Sequence, residues 1–390
     1  MKTKIRILAL FLHNSMWGVR IRGDERRFLE IAKRLVKYGA DLYVIEFAPS
    51  LQKSYYHINI YKSFELSIRK LHYVITWLII LALKFKDYDV IYVYNQDLLN
   101  ILASLIFKLI QRKPLIMVVQ SLQDLELPLR SLRHMYGAGI LDLTLMFLHR
   151  YILLPLAFNL TNAIFTVSNT LKAQLIMKYP WMKEKVFTTL NGVDLDKFKP
   201  LNLEKEYDAI FLGRIHIAHK GIDKLLLIWK QIVHKHPKAK LILVGGFESY
   251  RDKELLFKLI DKLNLRDNVI VTGFIEDEEV VQLLNRAKVF VSLSIYEGFG
   301  LSVLEALACG IPVIASDLDV FNELHRDLLF YVSNKNLKDL IVLLDKFLTS
   351  YSSLVNKTLI KTLRDHAKNF TWNSVAYKEF MLIKEQFHIN

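Results

Sequence analysis

Short apolar segments rich in β-branched residues alternate with amphipathic helical segments along almost the whole chain. The first series opens with IRILALFL (5–12), followed by the helical pattern DERRFLEIAKRLVKY (24–38), and ends with AIFTV (163–167). A second series begins with YDAIFLG near residue 207 and ends with IPVIAS. Apolar strands separated by helices indicate parallel sheets covered on both faces. The pattern therefore predicts an α/β fold with two doubly wound, Rossmann-like domains.

The boundary between the two domains is predicted in NGVDLDKFKPLNLEKE (191–206), which combines turn residues, a proline and mixed charges. We expect residues 1–190 to form the N-terminal domain and residues 191–371 the C-terminal domain. Ligands of open parallel sheets bind beyond the carboxyl ends of the strands. With two sheets facing each other, the cleft between the domains is the expected site, and the loops after strands are where its residues should lie.

The positive charge is concentrated in the first half of the chain. Residues 1–200 contain 28 Lys+Arg and 15 Asp+Glu, whereas residues 201–390 contain 25 and 24. This asymmetry favours an anionic partner of the first half, such as a membrane surface, a phosphorylated acceptor or nucleic acid, over a simple gain in solubility. Nucleic acid is the least expected partner, because the basic half contains no recognisable binding module.

Two apolar segments are too short or too interrupted to span a bilayer. LHYVITWLIILAL (71–83) has 13 residues, and LTLMFLHRYILLPLAFNL (143–160) contains His, Arg and Pro. Both are predicted to be core helices, with a position at a membrane surface as the alternative. The N-terminal MKTKIRILALFL resembles a signal peptide but is better interpreted as a first strand.

The chain contains a single cysteine, Cys309, which cannot form an internal disulfide. This favours a reducing compartment, so a cytoplasmic protein is expected, with a peripheral position at the inner face of the cell membrane as the option that the basic first half raises. Cys309 lies between small residues and has no basic neighbour, and we interpret it as structural rather than nucleophilic.

The loop FLGRIHIAHKG follows the first strand of the second series. Gly213 allows close approach of a ligand to the backbone, Arg214 and Lys220 suit phosphate groups, and Gly221 precedes a helix whose N-terminus favours anions. The alternative is an ordinary surface turn. The loop also holds His216 and His219, which we predict to be solvated, with phosphate contact as a lesser alternative.

Two further loops follow strands of the second series. In VTGFIEDEEV, Gly273 and Phe274 could pass close to a flat base, although most such turns are only turns. In SIYEGFGLSVLEALACGIPVIASD, Gly298 and Gly300 flank the start of a helix, where backbone N–H groups can hold phosphate or sugar oxygens. Glu297 is placed to accept hydroxyl hydrogen bonds. Glu305 lies in an apolar helix, where two hydroxyls, as from a ribose, or a base of the other domain could satisfy it.

The Glu-x7-Glu pattern within YEGFGLSVLEALACGIPVIASD resembles the signature of the family 4 (group 1) glycosyltransferases of GT-B fold. GRIHIAHKG resembles the diphosphate loop of that family, NGVDLDKFKP its interdomain segment, and GDERRFLEIAKRL its first glycine loop and helix. NFTWNSVAYKEF resembles its last helix, which implies that residues 372–388 pack back on the N-terminal domain.

The resemblance implies a role for each matching residue. Arg214 and Lys220 would clamp the diphosphate of a nucleotide-sugar, Glu305 would hold the ribose, and Glu297 would contact the donor sugar. The amides of Phe299, Gly300 and Leu301 would meet sugar and phosphate, and Gly23 would approach the phosphates from the first domain. The implied reaction is retaining transfer from a UDP- or GDP-sugar to a hydroxyl of a glycan or lipid-linked acceptor, without a bound metal or other cofactor.

The chain departs from the family pattern, and one departure bears on the reaction. Gln123 stands where many members have a histidine near the reacting sugar, and Gln cannot act as an acid. A non-catalytic nucleotide-sugar-binding or membrane-associated protein of the same fold is therefore the alternative function. Asp317 and Asp319 spell a DxD metal motif, which we attribute to chance because no other ligand cluster accompanies it.

Overall fold

The computed structural model describes residues 5–11, 23–46, 59–61, 71–84, 87–122, 140–333 and 337–387. Within them the chain forms two compact units. The first contains the described residues up to Leu190 and again from Asn373 onwards, and the second is Asn191–Trp372. Within the described residues, the chain therefore passes from the first unit to the second after Leu190 and returns to the first for its last helix.

The first unit is built on a sheet in which the described residues form seven parallel strands, ordered β3-β2-β1-β4-β5-β6-β7. The strands are β1 (Ile5–Phe11), β2 (Ala40–Glu46), β3 (Asn59–Tyr61), β4 (Val90–Val93), β5 (Leu115–Val119), β6 (Ala163–Thr166) and β7 (Val186–Thr188). Strands β4, β5 and β6 are buried along their whole length. This burial explains their uninterrupted apolar sequences and confirms the predicted parallel sheet.

Helices connect these strands. They are α1 (Gly23–Lys37), α2 (Leu71–Lys84), α3 (Leu98–Gln111), α4 (Ile140–Leu148), α5 (Leu154–Leu160) and α6 (Asn169–Lys178). A π-helical turn, His149–Leu153, joins α4 to α5, and a 3₁₀ turn, Pro180–Lys185, follows α6. The connection from β1 to β2 runs toward one edge of the sheet, whereas all connections from β3 onwards run toward the other edge. Because such crossovers are right-handed, α1 covers one face and α2 to α6 cover the opposite face.

The two apolar segments predicted to be core helices are only partly buried. In α2, Leu78 and Ala82 are buried while Ile79, Ile80 and Leu83 are exposed. The segment from α4 to α5 also exposes apolar side chains on one side. Within the described part of the chain, no helix is both long enough and apolar enough to cross a membrane.

The second unit is built on a sheet in which the described residues form six parallel strands, ordered β10-β9-β8-β11-β12-β13. The strands are β8 (Tyr207–Leu212), β9 (Leu241–Val244), β10 (Val269–Gly273), β11 (Ala287–Ser292), β12 (Val313–Ser316) and β13 (Phe330–Val332). The chain starts at β8, runs outward to β10, and then returns to β11 on the other side of β8. The predicted second doubly wound sheet is thus confirmed, with its reversal between β8 and β11.

The helices of the second unit follow the same alternation. They are α7 (Ile217–Lys220), α8 (Ile222–Lys235), α9 (Tyr250–Lys262), α10 (Asp277–Arg286), α11 (Leu301–Ala308), α12 (Asp319–His325), α13 (Lys338–Thr349), α14 (Tyr351–Leu354) and α15 (Lys357–Ala367). Trp229 of α8 is fully buried within a core that α8 and α13 share with the sheet strands.

The last helix, α16 (Trp372–Gln386), packs in the first unit against α1. Arg27 of α1 and Glu379 of α16 are both fully buried and form an ion pair. Thr189 donates a hydrogen bond of 2.8 Å to one oxygen of Glu379, and Tyr92 donates one of 2.6 Å to the other. A buried carboxylate is costly unless several partners satisfy it, and Glu379 has them.

Candidate active site

The loops after β8 and β11 leave the second sheet side by side at its carboxyl edge, because these strands are neighbours at the reversal of strand order. This reversal is where doubly wound sheets bind ligands. The predicted residues Gly213, Arg214 and Lys220 follow β8, and residues 297–301 follow β11. The fold therefore brings both groups to one edge.

Lys220 and Glu297 form an ion pair, with 2.6 Å between Nζ and Oε1. The hydroxyl of Ser294 donates to the same Oε1 at 2.7 Å. Burial opposes ionisation of Glu297, but the positive charge of Lys220 and these hydrogen bonds outweigh it and hold the pKa of Glu297 below its usual value. The carboxylate is therefore ionised at neutral pH. The sequence indicated both residues but not their direct contact, nor the part of Ser294.

His216 and His219 are buried, so the prediction that they are solvated loop histidines is wrong. Residues Ile217–Lys220 form a short helical turn, and His216 Nδ1 accepts a 3.5 Å hydrogen bond from the backbone N–H of His219. Burial lowers the pKa of His219 to about 4. Its neutral ring donates from Nε2 to the carbonyl oxygen of Tyr296 at 3.0 Å, and the N–H of Ile295 donates to the carbonyl of His219. His219 therefore fastens the β8 loop to the β11 loop.

Arg214 forms an ion pair with Glu248, at 2.6 Å between Nη1 and Oε2. Glu248 lies on the loop after β9, and its backbone N–H donates to the carbonyl of Ile215 at 3.0 Å. The N–H of Ile215 donates in turn to the carbonyl of Gly246 at 2.8 Å. Glu248 was not among the predicted residues, although its position just after a buried strand was a usable signal.

The loops after β8, β9 and β10 touch through glycines. Gly245 has a φ of 142°, and a Cβ added to it would lie 1.9 Å from the carbonyl oxygen of Gly213, so only glycine fits. The N–H of Gly245 donates to the carbonyl of Gly273 at 3.0 Å. The next side chain, Phe274, is 38% exposed, so its ring is available to a flat ligand at this edge.

The start of α11 is shaped by Gly300, which adopts a left-handed φ of 90° and has no side chain with which to cap the helix. Gly298 and Phe299 lead into it. The ring of Phe299 is buried against Phe370, with centroids 6.1 Å apart. The first N–H groups of a helix have no intrahelical partner, so they can serve an anion or a sugar oxygen. Leu301 is the first residue of this turn.

Glu305 lies one turn further along α11 and is 5% exposed. The backbone carbonyl oxygen of Glu305 accepts a hydrogen bond from the backbone N–H of Cys309. Burial raises the pKa of the Cys309 thiol to about 12, so the thiol stays protonated, as suits a structural residue.

The remaining predicted residues lie elsewhere. Gly23 begins α1 in the first unit, and Gln123 lies outside the described residues. Asp317 of the DxD sequence accepts a 2.7 Å hydrogen bond from the Asn322 amide. Among the residues that the structure describes, no group of three or more His, Cys, Asp or Glu side chains is placed to hold a metal ion.

Comparison with known proteins gives matches over most of the chain. Residues 193–364 match the family Glycosyl transferases group 1, and residues 21–197 match Glycosyltransferase Family 4. The chain is 35% identical over 147 residues to an uncharacterized glycosyltransferase of Methanocaldococcus jannaschii, which covers 35% of this chain and 35% of the relative. It is 24% identical over 228 residues to the phosphatidylinositol N-acetylglucosaminyltransferase gpi3 subunit of Schizosaccharomyces pombe, which covers 57% of this chain and 49% of the relative.

The chain thus spans about a third and about a half of the length of these two curated relatives. A crystal structure of Anabaena HepE in complex with UDP and glucose is similar over 98% of this chain and 100% of that chain, with a TM-score of 0.76 at 19% identity. This likeness identifies the fold as the two-domain, Rossmann-like GT-B fold. The two family matches, which together extend from residue 21 to residue 364, show that the chain belongs to the group 1 (family 4) glycosyltransferases.

Proposed function

We propose that this protein is a glycosyltransferase that moves a sugar from a nucleotide-sugar to a hydroxyl of a glycan or lipid-linked acceptor, with retention of configuration. The observation that carries the proposal is the pair of cations, Arg214 and Lys220, each held by a carboxylate at the carboxyl edge of the second sheet. Positioned cations of this kind suit a diphosphate. Membership of the family supports the reaction class, and retention is the family expectation.

In the proposed reaction, Arg214 and Lys220 stabilise the diphosphate as its bond to the anomeric carbon breaks. Because negative charge grows on the departing oxygen, this stabilisation is larger in the transition state than in the bound donor, and it accelerates transfer. The backbone amides of Phe299, Gly300 and Leu301 are proposed as additional donors to sugar and phosphate oxygens.

The two glutamates are proposed to recognise hydroxyl groups. Glu297, which Lys220 and Ser294 hold in its ionised form, would accept hydrogen bonds from the donor sugar. Glu305, buried in α11, would accept the ribose hydroxyls. Such hydrogen bonds to a charged acceptor are stronger than neutral ones, which suits both the binding and the orientation of the donor.

The similar proteins and the charge of the first half support particular classes of donor and acceptor. The HepE complexes contain UDP or UDP-glucose, which supports a UDP-sugar as the first donor to test, with a GDP-sugar as the alternative. The S. pombe relative is a subunit of a phosphatidylinositol N-acetylglucosaminyltransferase, and this name supports a lipid acceptor for the present protein. The excess of basic residues in the first half of the chain supports contact with an anionic membrane surface.

A donor screen with a matched pair of lysine variants tests the proposal. Thermal unfolding is measured with UDP-, GDP-, ADP- and TDP-sugars for the wild type, Lys220→Met and Lys230→Met, an exposed lysine of α8. One donor should raise the melting temperature of the wild type and of Lys230→Met, because a ligand that binds only the folded state stabilises it. Lys220→Met should lose this shift and transfer sugar about 10²–10³-fold more slowly.

Two results would contradict the proposal. A wild-type protein that binds the donor but neither hydrolyses it nor transfers its sugar to any glycan or lipid acceptor is the non-catalytic alternative. Normal transfer by a folded Lys220→Met variant would show that Lys220 does not stabilise the diphosphate.

A further inference from the structure

The exposed apolar side chains of the first unit are concentrated on one side of its sheet. Apart from Tyr377, every large hydrophobic side chain exposed in the described part of this unit lies on the helical layer formed by α2 to α6 and the turn that follows it. These residues are Ile79, Ile80, Leu83, Leu109, Phe147, Tyr151, Ile152, Leu156, Met177 and Trp181. We call this set the apolar helical face.

The helices that carry the apolar helical face form one continuous layer. Helix α2 packs against α3, and α3 packs against α5 and the π-helical turn. The ring of Phe158 on α5 contacts Tyr179, which follows α6, and Tyr179 contacts Trp181, each at 5.4 Å between ring centroids. Lys185 reaches back to the carbonyl of Phe158 at 2.9 Å. The apolar side chains are therefore parts of one surface rather than scattered single residues.

The π-helical turn widens the apolar stripe. Phe147, Tyr151, Ile152 and Leu156 are all exposed, at spacings of four and five residues, while Leu154, Ala157 and Phe158 are buried on the opposite side. A turn of more than 3.6 residues brings both Tyr151 and Ile152 outward. A solvent-facing helix ordinarily carries polar residues at such positions, so this stripe is built to meet an apolar environment.

Exposed bases lie on the same layer. Lys84 ends α2, Arg112 follows α3, Lys178 ends α6, and Lys183 lies in the turn after α6. Apolar side chains bordered by bases, with tyrosine and tryptophan among them, match the chemistry of a lipid surface with anionic headgroups. A symmetric contact between two copies through this layer would instead bring the same bases together.

We propose that the apolar helical face docks on an anionic lipid bilayer, with Tyr151, Ile152 and Trp181 entering the interface and the bases meeting lipid phosphates. With 14 residues, α2 is too short to span a bilayer, so the contact is one of lying on the surface. The inference deepens the proposed function, on which it rests for its purpose: a docked enzyme would meet a lipid-linked acceptor at the surface where that acceptor is held.

Vesicle flotation of the full chain tests the apolar contact. Vesicles of phosphatidylcholine alone are compared with vesicles that also contain phosphatidylglycerol, without donor or acceptor. Tyr151→Ser/Ile152→Ser removes two side chains that are each 52% exposed, and Leu227→Ser/Val342→Ser removes two of the second unit that are 53% and 54% exposed. The first pair should weaken binding to the anionic vesicles by about tenfold, while the second pair binds as the wild type does.

The electrostatic contact is tested in the same assay. Arg112→Gln/Lys183→Gln should weaken binding by about fivefold for each charge removed, and Lys230→Gln/Lys253→Gln, two exposed lysines of the second unit, should leave it unchanged. Equal flotation of the wild type with neutral and anionic vesicles would overturn the proposal. Self-association of the free protein that the Tyr151→Ser/Ile152→Ser pair abolishes would assign the face to a second copy instead.

Two controls keep this result separate from folding and from catalysis. If the Tyr151→Ser/Ile152→Ser pair unfolds, Leu109→Ser removes the most exposed apolar side chain of α3 and should also weaken binding. Because the vesicles contain no substrate, Lys220→Met should still float with anionic lipid even though it fails to transfer sugar. A wild-type protein that transfers sugar to a water-soluble acceptor but does not float with anionic vesicles would contradict the proposed docking face and leave the proposed function intact.

Discussion

Two histidines of the second unit, His325 and His366, contact each other and have lowered pKa values. His325 is 1% exposed, and its Nδ1 lies 3.0 Å from Nε2 of His366. Burial lowers the pKa of His325 to about 3 and also lowers that of His366. One ring donates its N–H and the other accepts it, so the hydrogen bond requires at least one neutral ring, and burial favours the neutral form of both.

The free energy of unfolding should therefore fall as the pH drops. An unfolded histidine binds a proton below about pH 6.5, whereas folded His325 stays neutral until about pH 3. Between pH 7 and pH 5, protonation of this residue in the unfolded chain should lower the free energy of unfolding by about 2 kcal/mol. Urea unfolding at both pH values measures it. His325→Phe should show a smaller pH dependence than the wild type, and His234→Phe, at an exposed position, should not. Equal pH dependence in all three proteins would contradict the assignment.

The sequence predicts which residues belong to the candidate site, but it does not predict which of these residues contact each other. Arg214 and Lys220 could be placed because they follow an apolar strand, and Glu297 and Glu305 because they flank a helix start in a recognisable motif. The contact between Lys220 and Glu297 joins residues 77 positions apart. Which carboxylate approaches which cation depends on strand order, so the pairing of Arg214 with Glu248 required the structure.

At the scale of elements, the strands were easier to predict than the exposed sides of the helices. A strand buried on both faces is apolar throughout, and that pattern has few alternatives. Helices α2 and α4–α5 are also strongly apolar, but apolarity alone does not distinguish a core helix from one with an exposed apolar side. The π-helical turn His149–Leu153 escapes a search for a period of 3.6 residues, because its extra residue shifts the exposed stripe.

The start of α11 should tolerate no side chain at Gly300. A Cβ there would lie 2.4 Å from the ring of Phe321, in a backbone with φ of 90°. Gly39 has a similar φ of 100° but nothing within 4 Å of an added Cβ. Gly39→Ala should therefore lower the free energy of unfolding by about 1 kcal/mol through backbone strain alone. Gly300→Ala should lower it by about 2–4 kcal/mol, because overpacking adds to the strain.

Chemical denaturation of the two glycine variants measures the difference. Donor binding should also weaken in Gly300→Ala under conditions where it remains folded, because the first amides of α11 would move. Equal destabilisation by the two substitutions would show that Phe321 gives way and that the start of α11 is not constrained by packing.

At the scale of the whole molecule, the chain closes its first unit with its last helix. The ion pair between Arg27 and Glu379 joins residues 352 positions apart, and Thr189 and Tyr92 complete its hydrogen bonds. The expectation that residues 372–388 form a helix packed back on the N-terminal domain rests on the resemblance of NFTWNSVAYKEF to a family segment. The sequence of the helix does not reveal which surface it covers, because the partner of its buried charge lies far away along the chain, in α1.

Removal of one member of this pair should destabilise the first unit strongly. Glu379→Ala leaves the Arg27 guanidinium buried without its carboxylate, and such a loss costs about 3–5 kcal/mol. Glu385→Ala, at an exposed position of the same helix, should change the free energy of unfolding by less than about 0.5 kcal/mol. In Arg27→Met/Glu379→Met the buried charge is absent altogether, so this double variant should be more stable than Glu379→Ala. Urea unfolding of the four proteins measures these differences. A double variant less stable than Glu379→Ala would show that the hydrogen bonds of Arg27, rather than the cost of an unpaired charge, hold α16 to α1.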